Sequence, residues 1–162
     1  PTVYSLFQNW PSHLFQLAEK VANFNKLFYN NFGAGALSIE FRDGSPLIPS
    51  IGSTTFIGFR GGEITLPKHI TSIGVRAFEG ASNLRYLIVP DSVTTISQSA
   101  LTPTSSLRTV VLPSGLTTLG TTVFGSAIQT VVYCGSTSAV QNYAYPNSVV
   151  PVCGKAAIFE QI

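Results

Sequence analysis

The sequence predicts a repeat solenoid: short parallel strands joined by loops and short helical returns, with a period of 23 (90 − 67). Three observations carry that prediction. Pro67, Pro90 and Pro113 stand at one constant spacing (90 − 67 and 113 − 90). Ile73, Ile96 and Leu119 keep the same interval, and so do Phe78, Leu101 and Phe124. A fixed period in this range means stacked supersecondary units, each burying its apolar side against the next. At 162 residues the chain makes one domain with a sizeable core. Residues 1–62 read as a lead-in, a helix and a degenerate first repeat that together cap the stack. Residues 63–153 read as the solenoid, and 154–162 as a tail.

Pro1 to Trp10 is an extended apolar lead-in carrying Val3, Tyr4, Leu6, Phe7 and Trp10. From Ser12 to about Phe32 the spacing predicts an amphipathic capping helix. Leu14, Leu17, Ala18, Val21, Phe24, Leu27, Phe28 and Phe32 recur at intervals of three and four. Ser12 suits the N-cap and Gly33 the stop. A raw apolar end of a stack needs such a cover. Ala36–Arg42 and Thr55–Arg60 read as strands. Ile51 and Phe56 keep the same short offset as Ile73 and Phe78, which suggests a shortened first repeat.

In each full repeat a pattern L-x-x-L-x-L ends in a strand: Leu84, Leu87, Val89; Leu107, Val110, Leu112; Ile128, Val131, Tyr133. Alternation turns Leu87 and Val89 inward and Tyr86 and Ile88 outward. Proline follows because it cannot donate to the ladder. The pairs Ile70/Ile73, Val93/Ile96 and Leu116/Leu119 then predict a second short strand on the opposite wall. Ala77-Phe78, Ala100-Leu101 and Val123-Phe124 fill the turn back. The third repeat is shorter by two after Phe124. Ser148 to Cys153 is apolar enough to form a last strand.

The phrases LPKHITSIGVRAFEGASNLRYLIVP and LPSGLTTLGTTVF resemble the BspA-type leucine-rich repeat over about Glu63 to Tyr133. Period, Pro, Ile-Gly and Ala-Phe all coincide, although repeat two has Ser97 for Gly and Leu101 for Phe. STSAVQNYAY, from Ser136 to Tyr145, resembles the closing helix common in that family. The resemblance implies a leucine-rich-repeat-like fold in a secreted or surface-displayed module that binds protein or assembles, without catalysis.

Composition narrows the function further. Charged residues are 10% and apolar residues 44% of the chain, so its surface is largely uncharged. The net charge of +2 comes without a basic cluster, which argues against a nucleic-acid partner. No apolar run approaches the roughly 20 residues of a membrane span. A chain beginning at Pro1 reads as a processed or trimmed product, and an extracellular or cell-surface location is expected. Carboxylates are scattered singly. His13 and His69 lie in no metal or nucleophile motif, so neither a catalytic site, a metal site nor a cofactor is expected.

Cys134 and Cys153 are separated by 19 (153 − 134), close to one turn of the stack, and each ends a predicted strand. A disulfide between them is expected, with two buried thiols as the alternative. Two outward rows are candidate interaction surfaces. One comprises Glu63, Tyr86, Thr109 and Thr130; the other comprises Thr65, Ile88, Val111 and Val132. The second is aliphatic and would be an interaction patch if uncovered. Hydroxyl pairs Thr71-Ser72, Thr94-Thr95 and Thr117-Thr118 stack on the other wall as a solvated face.

Two functions follow. The first is recognition of a protein or glycan partner through an outward row. The second is self-assembly into a filament or matrix. There the lead-in and the tail residues Ile158, Phe159 and Ile162 would complete a neighbouring copy.

Overall fold

The computed structural model describes residues 15–17, 36–41, 50–136, 138–141 and 149–150. It is a β-solenoid with two parallel walls. One wall is built from β1 (Phe15–Leu17), β2 (Ala36–Phe41), β4 (Glu63–Thr65), β6 (Tyr86–Ile88), β8 (Thr109–Leu112), β10 (Thr130–Tyr133) and β11 (Val149–Val150). The other holds the short strands β3 (Ser50–Ile51), β5 (Ser72–Ile73), β7 (Thr95–Ile96) and β9 (Thr118–Leu119). A short helix, α1 (Ser138–Gln141), replaces the short strand after β10. Every strand pairing among the described residues is parallel. On the short wall the hydrogen-bonded order is β3-β5-β7-β9; on the long wall it is β1-β2-β4 and then β6-β8-β10-β11.

The predicted period is the register of the ladder. Tyr86 lies opposite Thr109 and Ser72 opposite Thr95, each a displacement of 23 (109 − 86 and 95 − 72). The displacement falls to 21 between Thr109 and Thr130 (130 − 109), where the third repeat is short. It falls to 18 between Val131 and Val149 (149 − 131). Coils therefore shrink toward the C-terminal end.

The core lies between the walls and at the corner that follows the short strand. Leu84, Leu87, Val93, Ile96, Ala100, Leu101 and Leu107, which follow one another around a single coil, are all fully buried. Along the strand the expected alternation holds: Leu87 and Val89 point inward, Ile88 outward. At the corner Phe56 stacks on Phe78 with ring centroids 5.0 Å apart and planes 18° apart. Phe59 meets Phe56 edge-on at 6.1 Å, a favoured aromatic geometry. The column continues through Leu101 and Phe124, which form a parallel bridge. Ser50–Ile51 pairs in register with Ser72–Ile73, so the coil before the three full repeats already obeys their geometry.

Two expectations are corrected. Phe15–Leu17 is not helical: it is a strand paired in parallel with β2, Phe15 opposite Ile39 and Leu17 opposite Phe41. Phe-Gln-Leu alternates apolar and polar as well as fitting a helical stripe, and the exposed edge of β2 offers a ladder that local propensity does not know about. The rest of the expected capping helix, and its caps Ser12 and Gly33, lie outside the described residues. Thr55–Arg60 is a turn rather than a strand. Ile57 donates its N–H to Thr54 at 3.3 Å and Phe59 to Phe56 at 3.0 Å, three positions back each time. That curl puts Phe56 and Phe59 inside together, which a strand with period 2 cannot do.

The corner has a second regular feature. Thr54, Arg76, Ser99 and Thr122 all hold positive φ, at 59°, 56°, 55° and 50°. Non-glycine residues seldom adopt this conformation, and β-branched threonine least of all. The coils impose it, because the N–H groups of the first three are taken by the next coil. Thr54 donates to Val75 at 3.0 Å, Arg76 to Gln98 at 3.3 Å and Ser99 to Thr121 at 3.1 Å.

Candidate functional site: the outward strand wall

The two outward rows lie where the alternation puts them, but they are not equally open. Glu63 and Thr65 on β4 are exposed, Tyr86 is half-buried, and Ile88 is 36% exposed. Their continuations are covered: Thr109 is 9% exposed, Val111 5% and Val132 1%, with Thr130 half-buried. Register ties the rows together, Tyr86 opposite Thr109 opposite Thr130, and Ile88 opposite Val111 opposite Val132. A parallel sheet covered on both faces is the usual arrangement. Here the covering holds over β8 and β10 and fails over β4 and β6. The free surface is therefore a patch of Glu63, Thr65, Tyr86 and Ile88.

Within that patch Tyr86 and Glu63 interact across neighbouring coils. Burial is the main cause that raises the phenol above its ordinary 10.0; the Glu63 carboxylate adds its charge and accepts a hydrogen bond from the phenol. The phenol thereby holds its proton more tightly. Arg85, exposed, immediately precedes β6 and donates its backbone N–H to the Gly62 carbonyl at 3.4 Å. The patch thus groups an aromatic ring, an aliphatic side chain and charges at its margin.

The opposite wall serves the stack itself. Thr117 donates its hydroxyl to the Thr94 carbonyl at 3.1 Å, and Thr94 to the Thr71 carbonyl at 3.4 Å. Ser92 Oγ reaches the carbonyls of Lys68 at 2.7 Å and Ile70 at 2.6 Å. These hydroxyls staple one coil to the previous one.

Chemistry-bearing side chains stay apart. Among the described residues no three of His, Cys, Asp or Glu come together as metal ligands would. His69 is exposed beside Lys68. Arg76 pairs with Glu79 at 2.5 Å, three positions on. No helix among the described residues is long and apolar enough to cross a membrane. Cys134 is half-buried and disulfide-bonded. Cys153 lies outside the described residues, as do the candidate assembly ends: Val3, Tyr4, Leu6, Phe7, Trp10, Ile158, Phe159 and Ile162.

A groove opens at the return from the second to the third coil, between Thr102-Pro103 and Ser126-Ala127. The third coil is shorter by two just there, a difference visible in the sequence once the coils are aligned.

Comparison with known proteins fits this architecture. The chain resembles a leucine rich cell surface protein from Faecalibacterium prausnitzii A2-165, known from a crystal structure. Identity is 21% and the TM-score 0.62, with 88% of this chain and 36% of that chain covered. This chain thus spans about a third of that protein's length. A leucine rich repeat protein of T. pallidum is 19% identical with a TM-score of 0.46, covering 78% of this chain and 69% of that one. No curated protein matches. Residues 24–150 match the model of the BspA type leucine rich repeat region, in six copies. With most of its length in that match and its coils stacked in the corresponding register, the chain belongs to the BspA-type leucine-rich repeat family.

Proposed function

We propose that this chain is a non-enzymatic recognition module of a secreted or surface-displayed protein, binding a protein partner through the open part of its strand wall. The observation that carries the reading is the contrast along one row: Ile88 is 36% exposed, whereas Val111 and Val132, in register with it, are 5% and 1% exposed. A wall covered along most of its length and left open at Glu63, Thr65, Tyr86 and Ile88 offers a bounded contact area. A half-buried tyrosine beside a large apolar side chain suits the centre of a protein interface. Family membership and the likeness to a cell surface protein support the location.

The test is surface plasmon resonance against a panel of purified extracellular-matrix and secreted proteins, comparing the native chain with Tyr86→Ala/Ile88→Glu. A partner should bind the native chain and lose at least tenfold in affinity with the double variant, as expected for centre residues of an interface. Arg108→Gln should bind normally. No partner in the panel, or a partner indifferent to the double variant, would overturn the reading.

A further inference from the structure

Arginines that the sequence scatters are brought into line by the coils. Arg85 immediately precedes β6 and Arg108 immediately precedes β8, a displacement of 23 (108 − 85) that is one step of the ladder. Arg108 donates its backbone N–H to the Arg85 carbonyl at 2.8 Å, so the two side chains leave neighbouring coils from positions directly opposite. Arg60 belongs to the same corner one coil earlier, where its carbonyl accepts from the Asn83 side-chain amide at 2.9 Å. All three arginines are exposed. Like charges directly opposite destabilise a sheet, with Cβ atoms roughly 5 Å apart. Here nothing among the described residues relieves them. The ion pair found is Arg76 with Glu79, while Glu63 acts on the Tyr86 phenol and makes no ion pair with Arg85. In a chain with 10% charged residues, packing does not explain such a pair.

The geometry of Arg108 adds a second observation. Its Nη1 donates to the Ser105 carbonyl at 3.2 Å and to the Ala127 carbonyl at 2.9 Å. Those two bonds hold the guanidinium and turn its Nε–Nη2 edge away from the return loops, a fork of donors that fits an oxyanion. Around the arginines the surface is polar and uncharged, with Ser82, Asn83, Ser105 and Gln129 exposed. We propose that this corner binds a sulfated polysaccharide, its sulfates on Arg85 and Arg108 and its ring hydroxyls on Gln129 and the Asn83 amide oxygen. The strip runs along the stack from Arg60 through Arg85 to Arg108, so it suits a polymer with oxyanions on successive units. Its amides and hydroxyls match sugar hydroxyls. It has no aromatic ring on which a nucleic acid would stack its bases, and no apolar side chain to anchor an acidic protein segment. The site uses neither Tyr86 nor Ile88 and stands independently of the protein-binding reading.

The experiment is calorimetric titration of the whole chain with a heparin-derived hexasaccharide, its desulfated counterpart, hexaglutamate and hexathymidylate. The sulfated sugar should bind with a Kd on the order of 0.1 mM at low ionic strength, the scale of two charge-assisted contacts. Binding should weaken as salt rises. The other three probes should each bind at least tenfold more weakly. The Arg85 side chain bonds to none of the described residues, so Arg85→Gln should lose about tenfold in affinity with the melting temperature unchanged. Lys68→Gln removes the same charge from the exposed turn after β4 and should bind normally, which separates the site from the net charge. Ile88→Ser, in the open patch, should also bind the sugar normally, which keeps the two surfaces distinguishable. Absence of binding by the sulfated sugar, equal binding by any other probe, or unaltered binding by Arg85→Gln would each overturn the assignment. So would equal losses in Arg85→Gln and Lys68→Gln.

Discussion

Tyr86 stands beside Glu63, one coil earlier in the stack, and the Glu63 carboxylate acts on its phenol. Burial first and the nearby negative charge second raise the phenol above its ordinary 10.0. The folded protein therefore holds this proton more tightly than the unfolded chain does. That contribution to stability is complete below pH 10.0 and is lost as pH rises from there through the folded value. Glu63→Gln should move the Tyr86 titration down toward its ordinary value without reaching it, since burial remains. Ultraviolet titration of the phenolate checks this. Tyr86→Phe should flatten the alkaline decline in denaturation midpoint, and an unchanged decline would exclude Tyr86 as its source.

The repeat's glycines separate packing from conformational preference. A Cβ on Gly74 would stand 2.6 Å from the Ser53 backbone nitrogen and 2.7 Å from the Gly52 carbonyl carbon. One on Gly120 would stand 2.6 Å from the carbonyl carbon of Ser97 and closer still to the backbone nitrogen of Gln98. Backbone cannot yield as a flexible side chain can. Gly74→Ala and Gly120→Ala should each cost about 2 kcal/mol or more, in the range of overpacked cores. Gly115 has nothing within 4 Å of the same position. Gly115→Ala should be neutral to within about 0.5 kcal/mol, as for open surface sites. Urea denaturation of the three variants decides.

How much of the fold was legible follows from whether neighbouring coils impose the same demand. Ile70, Val93 and Leu116 face one buried environment repeated, so residue type records position and the period can be read directly. The two-wall solenoid follows from that alone. Phe15–Leu17 could not be read, because a ladder with β2 decides its conformation and the local spacing fits helix as well. The covering of Val111 and Val132, with Ile88 left open, is likewise not written in those three residues, which are all aliphatic. The positive-φ column follows no single residue type: Thr54, Arg76, Ser99 and Thr122 are united by their place in the corner.

That column gives a third prediction. Thr54 sits at φ 59°, and its hydroxyl donates to the adjacent Ser53 carbonyl at 2.7 Å, a contact within its own turn. Asparagine tolerates this conformation far better than a β-branched residue. Thr54→Asn should therefore stabilise the chain by about 0.5–1 kcal/mol. Thr122→Asn should gain less, because Thr122 also shares a hydrogen bond of 3.0 Å with the Ser99 hydroxyl. Thermal unfolding of both variants checks the order; a loss of stability in Thr54→Asn would show that the corner is not strained.

The last coil is the smallest, and its covalent tie should matter most there. Cys134 is disulfide-bonded, and the chain contains two cysteines. The β10–β11 register displaces partners by 18 (149 − 131), one short of the separation between Cys134 and Cys153 (153 − 134). A Cys134–Cys153 bridge would thus run between neighbouring coils just beyond their paired strands. Closing a loop of that length contributes about 3 kcal/mol in the chain-entropy model. Cys134→Ser/Cys153→Ser should lose roughly that amount, and reduction of the native chain should match it. Mass spectrometry after alkylation should show two modified cysteines with reductant and none without. Alkylation without reductant would disprove the bridge, and equal stability of the double variant would show that the shortened coil holds without it.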